Sequence, residues 1–358
     1  NDKGDEVIEF EITEKFDNPV HWNELRNNPA LASCEVFINN MGSLFKLSSD
    51  EYDVINEIIE EKNPAKPPSP KYDYLSDPDK PFLEYKNFKQ IVNLLKRNKN
   101  IILQGPPGVG KTFIARKLAY EHMGFVNDSQ ISMVQFHQSY CYEDFIQGLR
   151  PGKNGFELKN GTFYNFCQKA QANPDKAYFF IIDEINRGNL SKIFGELLML
   201  IEADKRSSKF ALNLAYAEEE TDTFFIPENL YIIGTMNTAD RSLAIVDYAL
   251  RRRFAFINLR PVYDEQFTNF LIQQSGVSEG LTNHITATIR RVNEAIAKDM
   301  NLGSGFEIGH SYFCSYKNGL DEGQWYNEVL TFEIRPLLEE IWFDNLEQAE
   351  SMINILKR

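Results

Sequence analysis

Eight residues constrain this chain more than any others: Gly105-Pro-Pro-Gly-Val-Gly-Lys-Thr112, directly after the apolar run Asn100-Ile-Ile-Leu-Gln104. Glycine, four residues, then Gly-Lys-Thr at the end of a predicted strand is the pattern of a phosphate-binding loop. Glycines let backbone N–H groups turn toward an anion with no Cβ in the way. The helix predicted from Lys111 aims its positive dipole end at the same point. The predicted phosphate contacts are Gly105, Pro106, Pro107, Gly108, Val109, Gly110, Lys111 and Thr112. Lys111 can reach the β- and γ-phosphates, and the Thr112 hydroxyl can serve Mg²⁺. A strand, this loop and a helix open an α/β fold with a parallel sheet.

The rest of the pattern agrees. Ser132-Met-Val-Gln-Phe136, Tyr178-Phe-Phe-Ile-Ile182, Asn229-Leu-Tyr-Ile-Ile-Gly234 and Ala255-Phe-Ile-Asn-Leu259 read as further strands. The middle two are apolar throughout, as strands buried on both faces are. Two hairpins interrupt the alternation: Gly155 to Tyr164, with an Asn160-Gly161 turn, and about Phe210 to Ile226, with an acidic tip at 218–222 that reads as a solvated end or, alternatively, a partner or pore contact. Residues 82–263 therefore read as a nucleotide-binding α/β subdomain, and 264–358 as a helical one. Residues 62–81 carry Pro64, Pro67, Pro68, Pro70, Pro78 and Pro81, and read as a stiff linker. Before it, residues 1–61 read as a small α+β unit: strands at 7–12, 35–40 and 43–47, then a helix 52–61 behind the capping box Ser48-Ser-Asp-Glu51.

Composition sets bounds. With 358 residues the chain holds two or three domains. No apolar run approaches the roughly 18 residues of a membrane span, so no membrane association is expected. Asn1-Asp-Lys-Gly-Asp-Glu6 is polar, unlike a signal peptide, and the missing initiator Met points to processing or trimming. Cys34, Cys141, Cys167 and Cys314 are scattered, which fits a reducing cytoplasm. A net charge of −14 argues against a main surface that grips nucleic acid, so any DNA contact is local or belongs to another domain or subunit. No Cys/His spacing makes a zinc site of His137 or His310.

Three further motifs carry chemistry. Phe180-Ile-Ile-Asp-Glu-Ile-Asn-Arg187 ends an apolar strand in two carboxylates, the Walker B arrangement. Asp183 would hold Mg²⁺ through water or the loop threonine, and Glu184 would polarise the attacking water; the plainer alternative is a pair of carboxylates capping the next helix. Ile232-Ile-Gly-Thr-Met-Asn-Thr-Ala-Asp-Arg241 places Asn237 at another strand end, where an amide can orient water and Asp240 can hold Asn237 or act directly. Asn237-Thr-Ala-Asp240 also resembles the guanine-reading Asn-Lys-x-Asp of small GTPases, without its lysine. Asp247-Tyr-Ala-Leu-Arg-Arg-Arg-Phe254 sets three arginines that cannot share one helix face. Such a cluster suits an arginine finger reaching a neighbouring subunit's nucleotide; the alternative is a solvated helix end.

Together these motifs resemble an AAA+ module with hairpin insertions and a C-terminal helical lid. Met236-Asn-Thr-Ala-Asp-Arg-Ser242 is similar to the McrB family of GTP-hydrolysing motors from modification-dependent restriction systems, as are Met133 to Tyr140, Asn189 to Glu196 and Ile308-Gly-His-Ser-Tyr-Phe313. The resemblance implies GTP rather than ATP as substrate, with Mg²⁺, ring hexamers, and a McrC-type nuclease partner acting on DNA with modified bases. It makes Asn237 the first sensor and Arg252 and Arg253 the finger candidates, with Arg251 behind them. No nuclease carboxylate cluster with a lysine is present, so the chain is not expected to cut DNA alone. Asn18 to Leu25 and Leu47 to Ile55 resemble the closing part of an EVE/YTH-like (PUA-like) domain, whose base-reading pocket would then lie mostly upstream. Trp22, Phe37 and Phe45 are expected to pack rather than form a cage. Two rivals stand: a MoxR-like ATPase that remodels protein complexes, and a nucleic-acid-binding module whose nucleotide site only controls assembly.

Overall fold

In a computed structural model, which describes residues 18–38, 47–63, 69–152, 155–217, 222–239 and 251–357, every predicted apolar run after residue 99 is a strand. The strands among these residues are β1 (Asn100–Gly105), β2 (Ile131–Gln135), β3 (Gln147–Gly152), β4 (Gly155–Asn160), β5 (Tyr178–Asp183), β6 (Leu212–Asn213), β7 (Thr223–Phe224), β8 (Leu230–Asn237) and β9 (Ala255–Asn258). Five of them form one parallel sheet in the order β2-β5-β8-β1-β9.

Side chains alternate across this sheet with the strand period of two. Ile102, Phe180, Ile182 and Ile232 enter one apolar layer with Phe145, Phe163 and Phe194. Ile101, Leu103, Phe179, Ile181 and Ile233 enter the other. That second layer is covered by the helices Tyr85–Asn98 and Lys111–Met123, which bury Phe88, Ile91, Leu95, Ile114 and Leu118. Because β5, β8 and β1 lie inside the sheet and are covered on both sides, their sequences are apolar without alternation. Each fully buried Phe or Ile contributes about 1.5–3 kcal/mol of transfer free energy.

The first hairpin is displaced from its predicted place. β3 and β4 pair antiparallel from Gln147↔Asn160 to Gly152↔Gly155, so the chain reverses between the two glycines and not at Asn160-Gly161. Gly161 instead starts the helix Thr162–Gln171. Its N–H donates to Ile146 O at 2.6 Å, and a Cβ there would stand 2.4 Å from the Phe145 carbonyl carbon. Close backbone approach, not a turn, accounts for that glycine. The second hairpin pairs Leu212 with Phe224 and Asn213 with Thr223; residues 218–221 of its acidic tip lie outside the described residues.

After β9 the chain is helical. Glu279–Lys298 is the longest helix, started by the Ser278 hydroxyl, which accepts from Leu281 N–H. Leu281, Ile285, Ile289, Val292 and Ile296 recur at three- and four-residue spacing and are buried. They form a separate core with Tyr326, Ile334, Leu338 and Ile353 from the following helices.

The chain divides into two units, Asn1–Pro70 and Lys71–Arg358. Residues 71–81 belong with the sheet and are no free linker. Tyr74 is buried, stacks on Phe88 at 4.3 Å and donates to Pro81 O at 2.9 Å. Lys71 bridges to Phe125, and Asp77 pairs with Lys117 at 2.5 Å. The prolines there stiffen a packed strap, because Tyr72, Tyr74 and Asp77 between them find partners.

In the first unit the described residues are helical: Trp22–Arg26, Glu35–Ile38 and Ser49–Lys62. The capping box forms in both halves, Glu51 N–H to Ser48 Oγ at 3.2 Å and Ser48 N–H to Glu51 Oε2 at 2.8 Å. The strand predicted at 35–40 is a helix over Glu35–Ile38: Cys34 O accepts from Phe37 and Ile38, and Glu35 sits in the first turn where the dipole favours it. Backbone bonds to Cys34 O close this turn despite the β-preference of Val36, Phe37 and Ile38. The predicted strand at 7–12, nearly all of that at 43–47, and Phe45 lie outside the described residues. An EVE/YTH-like remnant thus gains no support. Trp22 meets Phe37 edge-on at 4.8 Å but stays exposed, so it is no core residue among the described ones.

Candidate active site

The strand ends explain why the motifs meet. β1, β5 and β8 run parallel, so their last residues emerge at one end of the sheet. Register pairs Gly105 with Asn237 on β8, and β5 places Asp183 at its own end. Gly108 (φ 77°) and Gly110 (φ 73°) hold left-handed conformations that curl the loop. Lys111 opens the helix Lys111–Met123; its ammonium lies over the loop, donating to Gly105 O at 3.0 Å and Pro106 O at 2.8 Å. Those carbonyls hold the cation where a phosphate on the loop would meet it.

Thr112 Oγ1 donates to Asp183 Oδ1 at 2.8 Å. Thr235 also donates to that oxygen through its hydroxyl, and accepts from Glu184 N–H at 3.2 Å. A carboxylate and a loop hydroxyl at this separation are an all-oxygen donor pair of the kind Mg²⁺ takes, with water and phosphate filling the remaining positions. The residues present therefore fit that ion.

Glu184 adopts the left-handed region (φ 52°), rare for a residue with a Cβ. It turns the carboxylate off the strand axis, where Oε1 accepts from Asn237 Nδ2 at 3.3 Å and Oε2 pairs with Arg187. The two predicted water-positioning residues are thus in contact with each other. The helix-cap alternative finds no support, since the Glu184 side chain caps nothing in the turn that follows. Asp240 lies outside the described residues.

The arginines stand elsewhere. Arg251, Arg252 and Arg253 precede β9, at the end of the sheet where β1 begins; Asn100 Nδ2 donates to Arg253 O at 3.0 Å. At about 3.3 Å per residue, the length of β1 separates them from their own phosphate loop by roughly 17 Å. Arg252 is 75% exposed and reaches Glu202 at 3.4 Å, whereas Arg253 is 12% exposed and reaches the same oxygen at 3.0 Å. Arg251 lies 6.0 Å over the Phe256 ring. None of the three is part of the cluster around Lys111.

The helical region touches the loop directly. Ser311 N–H donates to Gly108 O at 2.9 Å, and a Cβ on Gly309 would stand 2.1 Å from the Gly108 carbonyl carbon. Thr238, next after the sensor strand, binds Gly305 O at 3.0 Å. His310 is structural: its Nδ1 accepts from Val262 N–H at 3.1 Å, and burial lowers its pKa to about 4. Beside the loop lies a cavity of about 270 Å³, lined by Phe82, Val109, Phe113, Leu259, Phe270 and His310, with Asp79, Lys80 and Arg260 also facing it.

Sequence reasoning missed Thr235, Arg187, Thr238 and the Gly305 and Gly309 contacts. Thr235 was findable, since two residues before Asn237 on a strand is the same face. The other contacts join segments dozens of residues apart and have no local pattern.

Comparison with known proteins fits this geometry. The AAA domain (dynein-related subfamily) matches residues 100–254, and the McrB α-helical lid domain matches residues 284–350. The type IV methyl-directed restriction enzyme EcoKMcrB subunit of Escherichia coli (strain K12) is 51% identical over 282 residues, covering 77% of this chain and 61% of that protein. The type II restriction enzyme BsuMI component YdiS of Bacillus subtilis (strain 168) is 25% identical over 193 residues, 44% of this chain and 56% of that protein. The chain thus spans about three fifths of the length of these curated relatives. A putative ATPase from Cytophaga hutchinsonii, 17% identical, superposes with a TM-score of 0.32 over 74% of this chain and 67% of its own, too loosely to bear on the fold. With the ends of β1, β5 and β8 converging beside a helical lid of the McrB type, the chain is a McrB-like AAA+ protein.

Proposed function

We propose that this chain is the nucleotide-hydrolysing motor of a McrB-like restriction system, using GTP in preference to ATP. The observation that carries hydrolysis is the pair of contacts at one sheet end: Thr112 to Asp183 at 2.8 Å, and Asn237 to Glu184 at 3.3 Å. The first pair would hold Mg²⁺, which when bound neutralises charge on the β- and γ-phosphate oxygens. Glu184, oriented by Asn237 and by the bond from its own N–H to Thr235, takes the proton of the attacking water. Lys111 and the loop amides bind the phosphates, and the apolar cavity beside Val109 receives the base. Residues 82–263 act as the nucleotide-binding subdomain and 264–358 as the lid, closing over the loop through Gly309 and Ser311.

Arg252 and Arg253 complete the site of a neighbouring subunit, because the sheet separates them from their own. This makes a ring, a hexamer by the family resemblance, the active form. A McrC-type nuclease would supply cleavage, and DNA with modified bases would be engaged by that partner or by residues ahead of the sheet. Preference for GTP rests on the 51% identity to an McrB subunit.

The test is hydrolysis of GTP against ATP by the purified chain, with Lys111→Ala as the blank. A GTP preference that vanishes in the variant supports the proposal. Preference for ATP moves the function to the MoxR-like remodelling class, and hydrolysis undiminished in Lys111→Ala would sink both.

A further inference from the structure

The end of the sheet opposite the phosphate loop holds a polar cluster of which the chemistry above uses only Arg252 and Arg253. Arg206 is 1% exposed, and the acceptors of its guanidinium are neutral: Ile201 O at 3.2 Å from Nε, Leu230 O, and Asn100 Oδ1. Burial lowers its pKa to about 10, which leaves it charged at neutral pH. Asn100, fully buried at the start of β1, turns its amide nitrogen to Ile201 O at 2.6 Å and to Arg253 O at 3.0 Å. Glu202 follows Ile201. Its Oε1 receives Arg253 at 3.0 Å and Arg252 at 3.4 Å, and its Oε2 receives Lys205 at 3.1 Å. One carboxylate therefore serves three cations on a segment pinned to β1 and β8.

A buried cation satisfied by carbonyls is poor material for stability alone, since apolar residues of similar volume commonly serve as well or better. What it does fix is geometry. Arg206 and Asn100 hold Ile201, Asn100 also holds the backbone of Arg253, and Glu202 fixes the two guanidinia from the other side. We infer that Glu202, anchored through Arg206 and Asn100, is a positioning residue that directs Arg252 and Arg253 toward the nucleotide of an adjoining subunit. This rests on the reading of those arginines as acting in trans. The two have different tasks. Arg253, nearly covered and closer, also keeps the segment aligned. Arg252, exposed and on the longer contact, exchanges Glu202 for a phosphate oxygen, because exposed ion pairs are weak. Burial favours protonation of Glu202, yet Lys205, Arg253 and Arg252 together hold its pKa below the ordinary value, so the carboxylate is charged at neutral pH.

The experiment mixes two full-length variants. Glu202→Gln keeps an intact nucleotide site but loosens its arginines; Glu184→Gln keeps its arginines but lacks the water-activating carboxylate. Misplacement of a catalytic group by an ångström costs up to about a hundredfold, so Glu202→Gln alone should lose about ten- to a hundredfold in kcat with KM within about twofold. Mixed with Glu184→Gln, turnover should rise above either parent, because Glu202→Gln sites then sit beside well-placed arginines. A carboxylate that merely stabilised its own subunit would give no such rise. The double variant Arg252→Ala/Arg253→Ala, mixed with Glu184→Gln, is the reference. If that pair fails to complement, the in-trans reading falls and this inference with it. If it complements while Glu202→Gln either loses no activity or loses it without complementation, only the role of Glu202 is overturned.

Discussion

Glu184 illustrates how one residue's backbone can aim a side chain. Its left-handed conformation costs of order 1 kcal/mol for a residue with a Cβ, and it persists because Thr235 takes the N–H and Asn237 and Arg187 take the carboxylate. Glu184→Gln should keep the backbone geometry held by Thr235 while removing the proposed base. Hydrolysis should fall by about 10²–10⁴-fold, with nucleotide affinity, followed by fluorescent-analogue titration, within a fewfold of the parent. Retained turnover would show that another group activates the water. Asp183 and Glu184 were legible from sequence because a strand ending in two carboxylates is a local signal. Their partner Thr235 was legible only through strand parity.

At the scale of elements, close approach governs positions that local propensity misreads. Asn160-Gly161 has the composition of a hairpin turn, and Glu35 to Ile38 that of a strand, but the first is a helix start and the second a helix. At Gly161 a close backbone contact overrides the local preference. For Gly161 the consequence is measurable. A methyl group 2.4 Å from the Phe145 backbone cannot be relieved by a rotamer change, so Gly161→Ala should destabilise the sheet unit by about 1–3 kcal/mol. Thermal unfolding would report this as a lower Tm; an unchanged Tm would mean that the helix Thr162–Gln171 can shift without cost. The capping box at Ser48 and the five sheet strands were read correctly, because their signals lie within a few residues of one another.

For the molecule as a whole, the buried histidines set an acid limit. His310 and His122 both have pKa values lowered from 6.5 to about 4, by burial first and, for His122, by Lys96 and Lys99 as well. The unfolded chain takes up protons at these sites below about pH 6.5 while the folded chain resists until about pH 4. Their contribution is therefore complete above 6.5 and is lost as pH falls toward 4, by about 3 kcal/mol for His310. Urea unfolding at pH 7, 5.5 and 4.5 should show this loss, and His310→Asn, whose side-chain oxygen can still accept from Val262 N–H, should show a shallower one. Equal slopes for both proteins would remove His310 from the account. As His310 lies in the turn that touches Gly108, acid should loosen the lid against the phosphate loop before it unfolds the sheet.

The chain's own sequence determined the sheet strands, the phosphate loop, the Walker B pair and the helical region, because each rests on burial period or on residues within one turn of each other. Tertiary structure alone decided that Gly309 meets Gly108, that the strap at 71–81 packs rather than links, and that Glu202 joins Arg252 to Arg253 at the far end of the sheet. Those contacts cross between elements, and their partners are chosen by how parallel strands bring distant ends together, which no local pattern records.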